Sequence, residues 1–209
     1  MGCTGSVTVA ASSNYEEMNM RERLNIRKIS FAGVIAALYV AMVLAGAMVS
    51  FGPLQFRFAE VLTVMPFFFP IAVPGLFVGC LIANMFSPYG LIDVVVGSLA
   101  SLMAGLCTMK IGLVCNRERV GVKLLACLPP VIFNAIMIGA MIAWLIVGNF
   151  TSYAFLSAFI AYAGYVGLGQ FGVLYLLGMP LMVYMTKSGM YNRLSALMGG
   201  VSYKLENRG

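Results

Sequence analysis

The sequence predicts an all-α integral membrane protein with six transmembrane helices, and three observations carry that prediction. Of its 209 residues, 61% are hydrophobic and 10% charged, with a mean hydropathy of +0.95, which is more apolar surface than a soluble domain of this length can hide. The apolar residues fall into several separate runs instead of one signal-like segment. The basic residues gather between those runs: Arg21, Arg23, Arg27 and Lys28 before the first, Lys110, Arg117, Arg119 and Lys123 in the middle, and Lys187, Arg193, Lys204 and Arg208 after the last. The positive-inside rule puts all three clusters, and hence both termini, in the cytoplasm. Arg57 alone of the 13 basic residues is left over. The net charge of +6 thus marks orientation rather than nucleic-acid binding, because no basic segment interleaves with exposed aromatics.

Residues 1–24 are expected to form a disordered cytoplasmic leader, being mostly small and polar without helical periodicity. The membrane domain is expected over residues 25–188 and a cytoplasmic tail over 189–209. The first span, about Ile29 to Val49, is long enough for the ~30 Å hydrocarbon core. Within it Gly33, Ala37, Ala41 and Ala45 recur at every fourth position, and Ala32 with Ala36 widens the strip. Small residues at that spacing let another helix approach closely, so the strip is a candidate docking face, with internal packing as the alternative. From Phe51 to Met109 the number of crossings must be odd, and three short spans are expected: about Phe58 to Val73, Gly75 to Phe86 and Leu91 to Met109. Pro66, Pro70, Pro74, Gly75 and Pro88 break this region, since proline lacks the N–H and clashes with the preceding turn. Short, interrupted spans point to a transporter's binding site. The fifth span is expected from Leu124 to Val147 and the sixth from about Phe155 to Met185.

Outside the ends and the middle loop, the Lys, Arg, Asp and Glu residues that remain are Arg57, Glu60 and Asp93. Each costs roughly 2.5–3.5 kcal/mol at bilayer depth, so their retention near one another marks a functional site. Gln55, Arg57, Glu60, Asn84 and Asp93 all fall near the outer face of the expected topology, where one pocket could gather them. Arg57 and Glu60 stand three apart and could neutralise each other on a helix. That pairing would leave Asp93 needing a cationic partner, which a bound cation would supply. Asn84, Asn134 and Gln170 are the main amides within the spans, each either a helix-to-helix hydrogen bond or a ligand contact. Trp144, Tyr153, Tyr162 and Tyr165 fall near the outer interface as an aromatic belt, from which one or two could stack on a planar ligand.

Several chemistries are disfavoured by residue type. The chain has no histidine, which removes the commonest general base and the usual serine and cysteine triads. Its 5 cysteines show no CxxC or metal-ligand spacing, so neither a disulfide nor a metal is expected. Without a GxxxxGK[ST] loop the chain cannot itself hydrolyse ATP by the P-loop route. Gly167-Leu-Gly169-Gln-Phe-Gly172 spells GxGxxG inside an apolar span, where close helix packing explains the glycines. A membrane-embedded enzyme using Glu60 and Asp93 for acid–base work is the rival to a transport protein.

Gln55-Phe-Arg-Phe-Ala-Glu60, Pro66-Phe-Phe-Phe-Pro70, Pro74-Gly-Leu-Phe-Val-Gly79-Cys-Leu-Ile-Ala-Asn84 and Leu91-Ile-Asp93-Val-Val-Val-Gly97-Ser-Leu-Ala100 together closely resemble the QueT family of queuosine-precursor transporters, over about residues 25 to 188. The resemblance implies a substrate-binding S-component of an energy-coupling factor (ECF) transporter in the bacterial cell membrane, without cofactor or catalytic activity. It implies a six-helix bundle that docks on one transmembrane coupling subunit and two ATPase subunits, with Gly33, Ala37, Ala41 and Ala45 as the docking motif. The implied ligands are 7-deazaguanines such as 7-aminomethyl-7-deazaguanine or queuine. Glu60 is then expected on the guanine edge, whose N1–H and N2–H a carboxylate accepts as a bidentate pair. Asp93 is expected as counter-ion of the aminomethyl group, the two roles being exchangeable. Arg57 is expected on the O6 carbonyl or holding Glu60, Gln55 and Asn84 on the remaining edges, and Trp144 or an outer tyrosine such as Tyr162 stacked on the bicycle. Another small planar or cationic vitamin is the nearest alternative ligand.

Overall fold

The first helix, α1, runs unbroken from Thr4 to Ala45, back through the segment whose composition suggested an irregular leader. From Asn14 onward that segment is rich in Glu, Met, Arg and Leu, all good helix formers. Extending a helix already nucleated in the apolar span fixes one residue per bond gained, so the leader propagates it. The computed structural model describes residues 4–50 and 56–197, with backbone alone at 4–24, 48 and 49; Gln55 and the tail beyond residue 197 lie outside the described residues.

After a short helix α2 (Ala47–Ser50), the chain enters the bundle as a 10-residue 3-10 helix, Phe58–Phe67. The sequence suggested a proline-kinked span reaching Val73; the tighter coil ends earlier, with Pro66 inside it and Pro70 in the turn beyond. At about 2 Å per residue it covers roughly 20 Å. Its far end presses on α4 (Leu91–Val114), where a Cβ at Gly112 would collide with the Phe67 carbonyl. Helix α3 (Ala72–Asn84) returns roughly 20 Å to the starting level, placing Asn84 beside Arg57. These two short passes form a hairpin between longer helices. Gly90, with φ 70° and ψ −153°, turns the chain into α4.

Helix α5 (Val120–Ala126) precedes α6 (Leu128–Val147), whose Pro129 and Pro130 sit in the first turn, where a missing N–H costs little. Gly148, at φ 71°, closes α6 by donating to the Trp144 carbonyl at 2.7 Å. Ser152 caps α7 (Tyr153–Val173), its Oγ accepting from Phe155 N–H at 3.1 Å. A π-turn at Leu174–Gly178 then joins α7 to α8 (Met179–Lys187). Pro180 lacks the N–H that an unbroken α-helix would offer to Leu176, and the wider coil accommodates the break. Helix α9 (Met190–Leu197) follows Gly189.

Glycines set the packing. Gly75 and Gly79 of α3 lie against Ala32 and Ala36 of α1, so close that a Cβ would come within 2.5 Å of the Ala32 carbonyl and 3.0 Å of the Ala36 Cα. The constant offset makes these helices parallel. Gly139 meets Ala163 and Gly167 meets Ala135, so α6 and α7 are antiparallel. Among the described residues, four stretches are long and apolar enough to cross a membrane: Asn25–Ala45, Leu91–Val114, Val120–Val147 and Tyr153–Lys187. The surface is apolar too, with Val34, Leu99, Ile136, Ile160 and Leu176 all exposed, as lipid-facing helices require.

Candidate binding site

Arg57 immediately precedes the 3-10 helix in an extended conformation, φ −89° and ψ 106°, which sends its side chain towards α3 and α4. Its Nη2 donates to Asp93 Oδ2 at 3.2 Å, Nη1 to Asn84 Oδ1 at 3.1 Å and Nε to the Ser50 carbonyl at 3.3 Å. Asn84 Nδ2 donates in turn to the Asp93 carbonyl at 3.1 Å, and the Ser87 hydroxyl to Asp93 Oδ2. Gly97 leaves the space this knot needs, since a Cβ there would run into the Asn84 amide. All four polar side chains, Arg57, Ser87, Asn84 and Asp93, are buried. The arrangement fastens the ends of α2, the 3-10 helix, α3 and α4 to one another.

This geometry corrects two sequence-based expectations. Arg57 is joined to Asp93 by the ion pair, the long-range partner rather than the local one that the three-residue spacing offered, and it attracts Glu60 through space. Asp93 therefore already has its cation, and the argument that a bound cation must supply it no longer holds.

Glu60 lies one turn into the 3-10 helix, 1% exposed. The Tyr39 hydroxyl of α1 donates to its Oε1 at 2.8 Å. Asn134 of α6 approaches the carboxylate, yet its Nδ2 makes no hydrogen bond within ordinary limits. Among the described residues, Glu60 Oε2, Asn134 Nδ2 and Gln170 Oε1 are all buried without a partner, as are Asp93 Oδ1 and Ser50 Oγ. The α6–α7 register sets Ala135 against Gly167, so Asn134 and Gln170 lie within about a turn of each other along the pair. Buried polar atoms are nearly always satisfied, so exceptions from three elements make this a candidate binding site. Two acceptors and one donor are thus left open on three neighbouring elements.

Among the described residues, Trp144 and Tyr162 make no hydrogen bond to this cluster. Trp144 stacks on Phe150, with centroids 5.9 Å apart and planes at 14°, in an apolar groove of about 310 Å³ between α4 and α6 that also takes in Ile92, Val96 and Met141. Tyr162 is half-buried against Ile138, Met141, Ile142 and Val166. Neither ring contributes a hydrogen bond to the carboxylates. Of the other sequence candidates, Gly33, Ala37, Ala41 and Ala45 are exposed along α1, whereas Ala36 is buried and Ala32 half-buried on the side that packs on α3. The strip is therefore two faces, one internal and one open.

Tyr39 and Ser87 escaped the sequence reading. A hydroxyl in the middle of an apolar span, as at Tyr39, is a signal that could have found the first, since buried tyrosines seek a partner. Ser87 gives no such signal.

The QueT transporter family model matches residues 29–187, which contain every polar residue of the described cluster. The chain is also similar to the Queuosine precursor transporter QueT of Lactococcus lactis subsp. cremoris (strain MG1363), with 36% identity over 72 residues, 34% of this chain and 42% of that protein. The similar stretch thus spans less than half the length of the curated relative. No solved structure matches the chain.

Proposed function

The chain belongs to the QueT transporter family, and from that premise we propose that it is the membrane-embedded S-component of an ECF importer, binding a queuosine precursor of the 7-deazaguanine class. The observation that carries the ligand reading is the set of unpartnered atoms: Glu60 Oε2 and Gln170 Oε1 as acceptors, Asn134 Nδ2 as donor. The edge of a 7-deazaguanine presents the complement, N1–H and N2–H donors beside an O6 acceptor. Glu60 and Gln170 accept the two donors and Asn134 donates to O6. A hydrogen bond to the ionised carboxylate is the stronger kind and sets the orientation. Arg57, Asn84 and Asp93 hold the outer wall, and Asp93 Oδ1 remains open to a cationic substituent such as the aminomethyl group.

The same reading assigns six crossings with both termini cytoplasmic, the 3-10 helix and α3 being the two short ones. Support comes from their hairpin geometry and from the basic residues at the Phe67 end of the bundle. The exposed face of Gly33, Ala37, Ala41 and Ala45 is where the coupling subunit docks, and separate ATPase subunits supply the energy that a chain without a phosphate loop cannot.

Equilibrium binding of 7-aminomethyl-7-deazaguanine and queuine to detergent-purified protein, with guanine, thiamine, riboflavin and biotin as controls, tests the ligand. Tight binding of a deazaguanine that weakens in Glu60→Gln and Gln170→Leu supports the assignment. Preference for one of the vitamins would replace it.

A further inference from the structure

At the opposite end of the bundle from Glu60, a cavity of about 290 Å³ opens between α5 and α8, lined by Glu118, Val120, Lys123, Val183, Thr186 and Lys187. Lys123 is 3% exposed, yet its ammonium is hydrogen-bonded to a neutral group, Nζ donating to Thr186 Oγ1 at 2.8 Å. Thr186 is set for that role, its hydroxyl turned towards the Met182 and Val183 carbonyls at 3.2 and 2.9 Å. Among the described residues no carboxylate comes within 4.0 Å of the Lys123 ammonium. Glu118 on the lining acts on it only through space, and Lys187 adds a second positive charge. The lining therefore carries one positive charge in excess, with Lys123 facing the cavity and no carboxylate paired to it.

The cavity wall indicates which anion. Val120 is exposed, and Leu124 one turn along α5 is exposed too, so apolar surface begins where the charged lining ends. A phosphate carried on acyl chains matches both halves. Basic pockets between helices at the cytoplasmic interface are a known setting for such headgroups. We propose that this cavity binds the phosphate of an anionic phospholipid, with Lys123 and Lys187 as its cations and Thr186 positioning Lys123. The site is separate from the one that takes the small-molecule ligand.

Native mass spectrometry of the full chain, together with its thermal midpoint, tests this with added phosphatidylglycerol, phosphatidylcholine or inorganic phosphate. Phosphatidylglycerol is expected to be retained and to stabilise, the other two not. Lys123→Met and Lys187→Ala should each weaken retention roughly fivefold, while Lys110→Ala, an exposed lysine outside the cavity, leaves it unchanged. Lys187→Ala, at an exposed position, preserves the readout should Lys123→Met fail to fold. Equal stabilisation by inorganic phosphate would overturn the lipid assignment in favour of a free ion. Equal loss from Lys110→Ala would overturn the cavity in favour of diffuse surface attraction.

Discussion

Arg57 and Asp93 meet as a buried ion pair across 36 residues of sequence, Nη2 to Oδ2 at 3.2 Å, both side chains almost fully removed from solvent. The pair is hydrogen-bonded on both sides: Arg57 donates to Asn84 and to the Ser50 carbonyl, and Asp93 accepts from the Ser87 hydroxyl. Such a pair can be close to neutral in net stability, because desolvation offsets attraction, but losing one member strands the other.

Asp93→Asn is therefore expected to destabilise the ligand-free protein by about 3–5 kcal/mol, read as a lowered thermal midpoint in detergent. Replacing both residues by apolar ones, Arg57→Met with Asp93→Leu, should recover a large part of that loss. If Asp93→Asn left stability intact and removed only ligand binding, Asp93 would be a ligand group first and a structural one second.

Glu60→Gln should behave in the opposite way. The substitution keeps an oxygen for the Tyr39 hydroxyl and removes a buried charge whose Oε2 has no partner. Stability of the ligand-free protein is expected to be unchanged or raised by about 1 kcal/mol, since a buried carboxylate with one oxygen unsatisfied is costly. Affinity for a 7-deazaguanine should fall roughly 10- to 150-fold, the worth of a hydrogen bond to a charged group. Unfolding and binding measured on one preparation separate the two effects.

Tyr39→Phe removes the hydroxyl that holds Glu60 Oε1 and leaves the buried ring in place. The carboxylate then has fewer constraints on its orientation. A loss in ligand affinity of about fivefold is expected, equivalent to one ordinary hydrogen bond, with the dissociation rate carrying most of it. The double variant with Glu60→Gln should be no worse than Glu60→Gln alone, because Tyr39 acts through that carboxylate. Additive losses would place Tyr39 against the ligand itself.

The helical class, the long apolar stretches and the burial of Arg57, Glu60, Asn84 and Asp93 were legible because each follows from local composition: an ionisable side chain inside an apolar run has nowhere to go but inward. Which partner each one takes was not legible. Spacing of three suggested Arg57 with Glu60, but an extended residue ahead of a helix does not obey helical spacing, and only the tertiary hairpin brings Asn84 and Asp93 within reach. The 3-10 coil was hidden for a related reason. Pro66 and Pro70 announce that an α-helix must break, without saying which tighter or wider coil replaces it. The strip on α1 was read as one face because residues three and four apart are neighbours, while the position of α3 divides it.

That division gives a contrast between neighbouring alanines. Ala36 is buried where Gly79 approaches its Cα, so Ala36→Leu overpacks the α1–α3 contact and should cost about 1–3 kcal/mol in the isolated protein. Ala41 is exposed on the other side of the same helix. Ala41→Leu should leave the midpoint and ligand affinity of the isolated protein unchanged, yet abolish co-purification with the proposed coupling subunit and uptake in cells, since a large side chain holds two helices apart in lipid. Normal uptake by Ala41→Leu would remove this strip as the docking face. Loss of ligand binding in the isolated Ala41→Leu protein would instead mean that the open side of α1 supports the pocket, and that its exposure is not that of a surface waiting for a second subunit.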